Sequence, residues 1–141
     1  CDQLVHQADL LATFAEIFEA KLPDNAGEDS FSLMPLFKGG TGPIREHAVS
    51  ASIGGTPAVR MGQWKYIPAR GSGGWGKGGD QSQLVQLYDL SEDVGESRNL
   101  AAKNPKQVGM MKALLEKLII QGRSTPGPKQ KNDVKVVRYP R

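Results

Sequence analysis

Apolar residues near the start of the chain recur at the spacing of a helix. Asp9 is predicted to cap its N-terminus, and the apolar positions that follow share one stripe of the helix surface: Leu10, Leu11, Phe14, Ile17 and Phe18. Pro23 and the turn residues 24–27 end the pattern. The sequence therefore predicts an amphipathic N-terminal helix.

From Arg45 the periodicity changes to two, which is typical of strands. The alternate positions His47, Val49, Ala51 and Ile53 fall on one face of a first strand. Two further strands flank Gly62-Gln63, a two-residue hairpin signal, and residues 84–89 alternate in a last strand. The pattern predicts three or four short antiparallel strands connected as a meander.

A second helix has the best-marked boundaries. Asn104 is predicted to cap it, Pro105 occupies its first position, Gln107 completes a capping-box pattern, and Gly122 is a natural stop. Its apolar face consists of Val108, Met111, Leu114, Leu115, Leu118 and Ile119. Burial of these side chains, at roughly 1.5–3 kcal/mol each, is expected to hold the helix against the sheet.

These elements predict an α+β fold. It is a small antiparallel sheet of three to four strands with a C-terminal helix packed on one face, preceded by an N-terminal helix. We expect three regions along the chain. Residues 1–44 carry the first helix and a connecting loop, residues 45–122 the sheet and second helix, and residues 123–141 an extended basic tail rich in Pro, Lys and Arg.

The net charge of +3 is unevenly distributed. Residues 103–141 carry ten Lys or Arg against only Glu116 and Asp133, so this end could attract a polyanion. Tyr139 is the only aromatic residue there, which makes nucleic acid an unfavoured partner.

No run of about 18 apolar residues occurs, and this excludes a membrane-spanning helix.

The glycine-rich segment 71–79 is the first candidate for a binding role. It is not a phosphate loop, because Lys77 is followed by Gly78 rather than Ser or Thr and no helix pattern begins there. Trp75 within it offers a flat face on which a ring can stack, and glycine permits close approach. Trp75 is therefore a candidate substrate-binding residue.

Two further candidates are His47 and Arg123. His47 could reach a substrate from the end of a strand, although a histidine satisfied locally is the commoner case. Arg123 stands beside Ser124 and Thr125 in a segment stiffened by two prolines, and could bind a sulfate or carboxylate; it could equally satisfy the last carbonyls of the preceding helix.

One cysteine and two distant histidines predict no metal site, and the acids from Asp89 to Glu96 are expected to form turns and caps.

The stretch Gln86-Leu87-Tyr88-Asp89-Leu90, followed by Asp93, Glu96 and Asn99-Leu100, resembles the LYDL…D…E…NLA signature near the C-terminal end of sulfatases. Four other stretches, in order, resemble the same region of bacterial-type arylsulfatases. They are residues 8–13 (similar to D-L-L-P-T), 29–36 (D-G-x-S-L-x-P-L-L), 60–67 (R-x-G-x-W-K-L-I) and 122–133 (G-R-S-T-P-G-P…N-D). The chain departs from this pattern at Ala12, Ser30 and Val94, where Pro, Gly and Pro are usual.

The resemblance implies a C-terminal subdomain of an alkaline-phosphatase-like sulfatase, which cleaves sulfate esters with formylglycine and a calcium ion. In that family those groups and the catalytic residues belong to the N-terminal domain, so no catalytic residue is carried over. We expect a chain that opens on Cys1 to be a fragment that is inert alone. Its partners would be its own N-terminal sulfatase domain and a sulfated small molecule or glycan, in a periplasmic or secreted enzyme.

Two alternatives stay open. The chain could be an autonomous module that binds acidic polysaccharide or nucleic acid through its basic end. It could also pair with itself as a homodimer, because removal of a large domain uncovers apolar surface.

Overall fold

The computed structural model of the chain describes residues 1–76, 78–134 and 136. Its elements follow one another as α1 (Asp9–Ile17), α2 (Met34–Phe37), β1 (His47–Ala51), β2 (Pro57–Met61), β3 (Trp64–Ile67), β4 (Gln86–Asp89) and α3 (Pro105–Gln121). The α+β class is confirmed. The last part of the expected basic tail, including Tyr139, and Lys77 of the glycine-rich segment lie outside the described residues.

The chain divides into two compact units. The first comprises Cys1–Ala48 and Leu118–Asp133, and the second comprises Val49–Lys117 with residues 134 and 136. The boundaries fall within β1 and α3. The division into regions 1–44, 45–122 and 123–141 stays a prediction.

The four strands form one antiparallel sheet in the order β1-β2-β3-β4, as the meander pattern predicts. Gly62 and Gln63 make the two-residue turn between β2 and β3, with Met61 paired to Trp64. Gly62 has a φ of 56°, which a turn of this kind requires and which glycine adopts without steric cost.

The core of the second unit is built on one row of cross-strand neighbours. Val59 pairs with Tyr66 and Tyr66 pairs with Leu87, so the three side chains share a face of the sheet, and all three are fully buried. From α3, Met111 and Leu115 are buried, whereas Val108 and Leu114 are only half-buried. The predicted apolar face of α3 is therefore present, but two residues carry most of its burial.

In the first unit, α1 buries its polar face and exposes its apolar face, whereas an amphipathic helix usually buries the apolar one. Its two buried residues are the polar Asp9 and Thr13. Its apolar stripe is exposed, at 42% for Leu10, 49% for Leu11 and Ile17, 52% for Phe14 and 77% for Phe18. The helix predicted from periodicity is confirmed, and the apolar stripe is a surface that the described part of the chain does not cover.

Asp9 is not the N-cap that the sequence predicts. Ala8 occupies that position without a side-chain capping bond, and Asp9 lies in the first turn of α1. Its carboxylate accepts the backbone N–H of Phe31 at 2.9 Å and forms an ion pair with Arg45, whose side chain is 2% exposed. Arg45 also donates to the carbonyl of Asp29 at 2.8 Å. The capping prediction is wrong because Oδ1 of Asp9 is bound by Arg45, 36 residues away, and Oδ2 accepts the backbone N–H of His6 at 2.7 Å.

Ala12 and Ser30, two of the departures from the sulfatase pattern, are joined by a hydrogen bond. The backbone N–H of Ala12 donates to Ser30 Oγ at 2.8 Å. A proline at position 12 has no N–H, and a glycine at position 30 has no hydroxyl. The two departures therefore compensate each other, because the N–H that Ala12 adds is bonded to the hydroxyl that Ser30 adds.

Ser30→Ala is expected to lower the free energy of unfolding by about 1–3 kcal/mol, because the N–H of Ala12 then loses its acceptor at a poorly solvated position. In an Ala12→Pro background the same change should cost much less, since no donor is present. Urea titrations of the four variants measure this coupling. Ser32→Ala is the matched control on the same loop, because its hydroxyl bonds Glu16 and Met34 instead; equal costs in both backgrounds would contradict the compensation.

Candidate functional site

Trp75 lies in the glycine-rich loop between β3 and β4 and is 91% exposed. The neck of the loop is closed where the N–H of Gly71 donates to the carbonyl of Asp80 at 2.8 Å. The neighbours of Trp75 in the chain are Gly74 and Gly76, which have no side chains to cover the indole. The loop therefore presents a bare aromatic face, as the sequence predicts for a ring-stacking residue.

The buried carboxamide of Gln86 holds both ends of this loop. Its Nε2 donates to the carbonyls of Ala69 at 2.7 Å and Gly71 at 2.8 Å. Its Oε1 accepts the N–H of Asp80 at 3.1 Å and the hydroxyl of Tyr88 at 2.6 Å. Two donated and two accepted bonds match the capacity of a side-chain amide.

Asn99 supports the same loop from the other side of β4. Its Nδ2 donates to Asp80 Oδ2 at 2.8 Å and to the carbonyl of Val85 at 3.0 Å. Its Oδ1 accepts the N–H groups of Leu87 and Ala101, both at 3.0 Å. Asn99 thus fixes Asp80, the residue at which the loop returns to the sheet.

A third anchor comes from the β1–β2 connection. Ser52 Oγ donates to the carbonyl of Gly73 at 2.6 Å, and the N–H of Gly54 donates to the same oxygen at 3.2 Å. A Cβ on Gly73 would lie 2.6 Å from Thr56 Oγ1 and 2.7 Å from Ser52 Oγ, so only glycine fits. The loop is held two residues before Trp75 as well as at its neck.

Hydrogen bonds lower the pKa of Asp80. The largest contribution comes from the Ser82 hydroxyl and the next from Asn99, because both donate to the charged carboxylate. A carboxyl whose pKa is lowered on folding stabilises the folded state above its unfolded pKa of about 3.9, and this stabilisation is lost as the pH falls through the folded value.

Protection of the loop amides 71–80 against hydrogen exchange is therefore expected to fall as the pH drops below about 4 toward the lowered pKa of Asp80. Protection factors measured from pH 3 to 6 and corrected for intrinsic exchange would test this. Asp80→Asn should remove much of the pH dependence, whereas Asp2→Asn, a change at an exposed position, should leave it intact. An unchanged pH profile in Asp80→Asn would contradict the assignment.

The acids at the end of β4 and just after it form turns, as the sequence predicts. Asp89 accepts the N–H and hydroxyl of Ser91, and Asp93 accepts the N–H groups of Ser97 and Arg98 at 3.0 and 2.8 Å. These backbone bonds lower the pKa of Asp93. Glu96 instead forms an ion pair with Lys65 at 2.5 Å.

His47 lies at the start of β1, in the first unit, and borders a cleft of about 390 Å³. Phe31, Arg45, Ser124 and Pro126 line the same cleft. His47 is half-buried, and its carbonyl accepts a long bond of 3.4 Å from Arg45 Nη1. Its role in substrate binding stays a prediction.

The guanidinium of Arg123 is engaged by its own chain. Nε and Nη2 donate to Thr125, and Nη1 donates to the carbonyls of Asp24 at 3.3 Å and Pro128 at 3.1 Å. A Cβ on Gly127 would lie 2.6 Å from Nη1, so the turn folds directly under the guanidinium. Arg123 braces the turn 123–128; its predicted contact with substrate stays untested.

The end of α3 agrees with the stop signal in the sequence. Gly122 has a φ of 65°, and its N–H donates to the carbonyl of Leu118 at 2.9 Å. A side chain at this position would collide with the carbonyl of Gln130.

The sequence predicts a binding role for Trp75, which stays a prediction, but it does not mark Gln86, Asn99 and Ser52 as the residues that hold its loop. A signal was present for two of them. Gln86 is a polar residue inside the otherwise apolar run 84–88 and Asn99 follows a turn, and a buried amide in such a place must find hydrogen-bond partners. The partners themselves could not be read from the sequence.

Within the part of the chain that the structure describes, no helix is both long and apolar enough to cross a bilayer. The same residues contain no group of three or more His, Cys, Asp or Glu arranged to hold a metal ion.

No family model matches the chain. A curated relative, the N-acetylgalactosamine-6-O-sulfatase of Bacteroides thetaiotaomicron, is 34% identical over an alignment of 119 residues that covers 80% of this chain and 23% of the relative. A solved structure described as a 6S-sulfatase, from work on glycosaminoglycan metabolism by Bacteroides thetaiotaomicron, has a TM-score of 0.64 and 34% identity over 78% of this chain and 24% of its own. A 2-O glycosaminoglycan sulfatase gives a TM-score of 0.55 and 25% identity over 79% and 24%. The chain spans about a quarter of the length of each.

Proposed function

Because this chain belongs to the sulfatase family, as a segment of about a quarter of a member's length, we propose that it is the C-terminal subdomain of a sulfuric ester hydrolase. In that role it flanks the substrate cleft and has no activity alone. The observation that carries the proposal is the sequence similarity to a sulfatase over 80% of the chain. The exposed apolar stripe of α1 supports it, because a docked subdomain needs such a surface.

The uncovered stripe of α1 is the surface that docks on the rest of the enzyme. The relatives are about four times longer than the matched segment, so a large body of protein is available to cover it. Five exposed apolar residues on one helix face, with the polar face turned inward, suit a partner that is itself apolar at the contact.

Formylglycine and calcium belong, in this proposal, to the remainder of the enzyme. Cys1 is followed by Asp2-Gln3-Leu4-Val5, which does not fit the Cys-x-Pro-Ser-Arg context of formylglycine. The acidic side chains of the described part do not cluster as calcium ligands. We propose a periplasmic or secreted location for the enzyme, and its similarity to bacterial sulfatases supports this.

The substrate class is a sulfated glycan. Two relatives are described by their action on glycosaminoglycan or N-acetylgalactosamine sulfates, and Trp75 offers the flat apolar face that a sugar ring stacks on. Trp75 is the strongest of the three candidates because its side chain is exposed and its loop is held. His47 and Arg123 lie in the first unit, and each stays a separate candidate for contact with substrate.

Trp75→Ala in the full-length protein is expected to raise KM for a sulfated oligosaccharide about 2- to 12-fold, which corresponds to a loss of roughly 0.5–1.5 kcal/mol of stacking, with little change in kcat. Trp75→Phe should retain most of the affinity. Steady-state kinetics on a sulfated oligosaccharide and on a small aryl sulfate separate a loss of sugar binding from a loss of catalysis. The small substrate need not reach the loop, so its KM should not change.

The whole proposal would fail if the full-length protein released no sulfate from either kind of substrate. The isolated 141-residue chain should show no turnover above background. Unchanged KM in Trp75→Ala would remove Trp75 from the site but leave the family role intact.

The binding-module alternative, in which the basic end holds a polyanion, stays a prediction. Of its basic residues, Arg123 is engaged within its own turn, and the last part of the segment lies outside the described residues. Salt-dependent retention of the chain on heparin, lost on deletion of residues 123–141, would favour it.

A further inference from the structure

The loop that carries Trp75 has little order of its own. Six of the nine residues from 71 to 79 are glycine, the residue that loses most conformational freedom when it is fixed. A loop of this composition presents a side chain in one place only if other parts of the protein hold it. Its fixed points are therefore as important for binding as the indole itself.

Gln86 is a side chain that reaches both ends of the loop at once, in addition to the backbone bond between Gly71 and Asp80. One carboxamide binds Ala69 and Gly71 before the tip and Asp80 after it. The hydroxyl of Tyr88, a residue that is 2% exposed, donates to the same Oε1 and so favours the orientation in which Nε2 faces the two carbonyls.

We infer that Gln86 is a positioning residue for substrate binding, which acts by clamping the neck of the loop that presents Trp75. The inference rests on the proposed function for the role of Trp75. It adds a residue that does not touch substrate and that lies on the sheet rather than in the loop.

The amide group is essential to the clamp. A glutamate has nearly the same shape but, when ionised, has no donor for the carbonyls of Ala69 and Gly71 and repels them. When protonated it regains one donor. A leucine would keep the volume and leave two carbonyls, one N–H and one hydroxyl without their partner.

The test uses Gln86→Glu in the full-length protein. KM for a sulfated oligosaccharide is expected to rise at neutral pH, by no more than the roughly 2- to 12-fold expected for Trp75→Ala, with kcat nearly unchanged, since a lost hydrogen bond alters positioning rather than chemistry. Amides of residues 71–80 should exchange about tenfold faster, while those of β2 and β3 stay protected. Part of the affinity should return as the pH is lowered toward the pKa of the new carboxyl. Gln63→Glu, the same change at an exposed position of the hairpin turn, is the matched control.

The double variant Gln86→Glu/Trp75→Ala separates positioning from general destabilisation. If Gln86 acts through Trp75, the double variant has the KM of Trp75→Ala alone. Fully additive effects, or unchanged exchange of the loop amides in Gln86→Glu, would overturn the inference. If Trp75→Ala alone leaves KM unchanged, the substrate role of Trp75 fails, and with it the role of Gln86 in binding, while the exchange experiment still reports whether the clamp exists.

Discussion

Replacing Asp9 with alanine is expected to lower the free energy of unfolding by about 3–5 kcal/mol, because it leaves the guanidinium of Arg45 buried without a counter-charge. The side chains of Asp9 and Arg45 are 0% and 2% exposed, so water cannot replace the lost carboxylate. The N–H of Phe31 loses its acceptor in the same step. A loss of this size is a large part of the stability of a domain.

Urea unfolding of the chain, followed by circular dichroism, measures the effect. Glu16→Ala is the matched control, because Glu16 lies on the same helix and pairs with Lys38 at 3.3 Å while both side chains are largely exposed. Its effect should be small. Replacing both partners of the buried pair, as Asp9→Leu/Arg45→Met, should be less harmful than Asp9→Ala alone, since no unpaired charge remains.

Two outcomes would contradict the assignment of Asp9 as a buried anchor. One is an Asp9→Ala variant no less stable than Glu16→Ala. The other is a double variant less stable than the single one, which would mean that the packing of the two side chains matters more than their charges.

Phe14→Ser is expected to have a small effect on stability in the 141-residue chain and a large one in the full-length enzyme. In the 141-residue chain the side chain is 52% exposed, so the free energy of unfolding should change by no more than about 0.5 kcal/mol. In the full-length enzyme, where we propose that α1 is covered, the change should cost about 3 kcal/mol or more, as truncation of a buried phenylalanine does.

Thermal unfolding of both proteins checks this contrast. Leu84→Ser is the matched control, because Leu84 is 71% exposed but lies outside α1, and its effect should be similar in the two contexts. An equally mild effect of Phe14→Ser in the full-length enzyme would show that α1 stays exposed there.

Analytical sedimentation of the isolated chain tests whether a second copy of the chain, rather than the rest of the enzyme, covers the apolar stripe of α1. A dimer that Phe14→Ser dissociates, together with a mild effect in the full-length enzyme, would favour self-association over docking. A monomer at high concentration would count against the homodimer.

The elements of secondary structure were predictable because each depends on neighbours in the chain. The hairpin at Gly62-Gln63, the presence of strands β3 and β4 and the stop at Gly122 all follow from local backbone preferences and side-chain periods. The turn-forming acids Asp89 and Asp93 were predictable for the same reason, since they bond residues within five positions.

The orientation of α1 was not predictable, although its existence was. A period of 3.6 residues tells which side chains share a face, but not which face this chain covers. The rule that the apolar face turns inward fails here because Asp9 and Thr13 bind the loop 31–33 and Arg45. Those partners are 20 to 36 residues away.

The sequence therefore specified which residues form helices and strands and, through motifs spread along the chain, the family to which they belong. It also marked Trp75 as a residue with no covering neighbours. Tertiary structure decided which polar side chains act as anchors: Asp9 for the loop beside α1, and Gln86 with Asn99 for the loop that carries Trp75. The reason is physical, because a buried polar group is stabilised only by partners at hydrogen-bond distance, and folding alone brings such distant residues together.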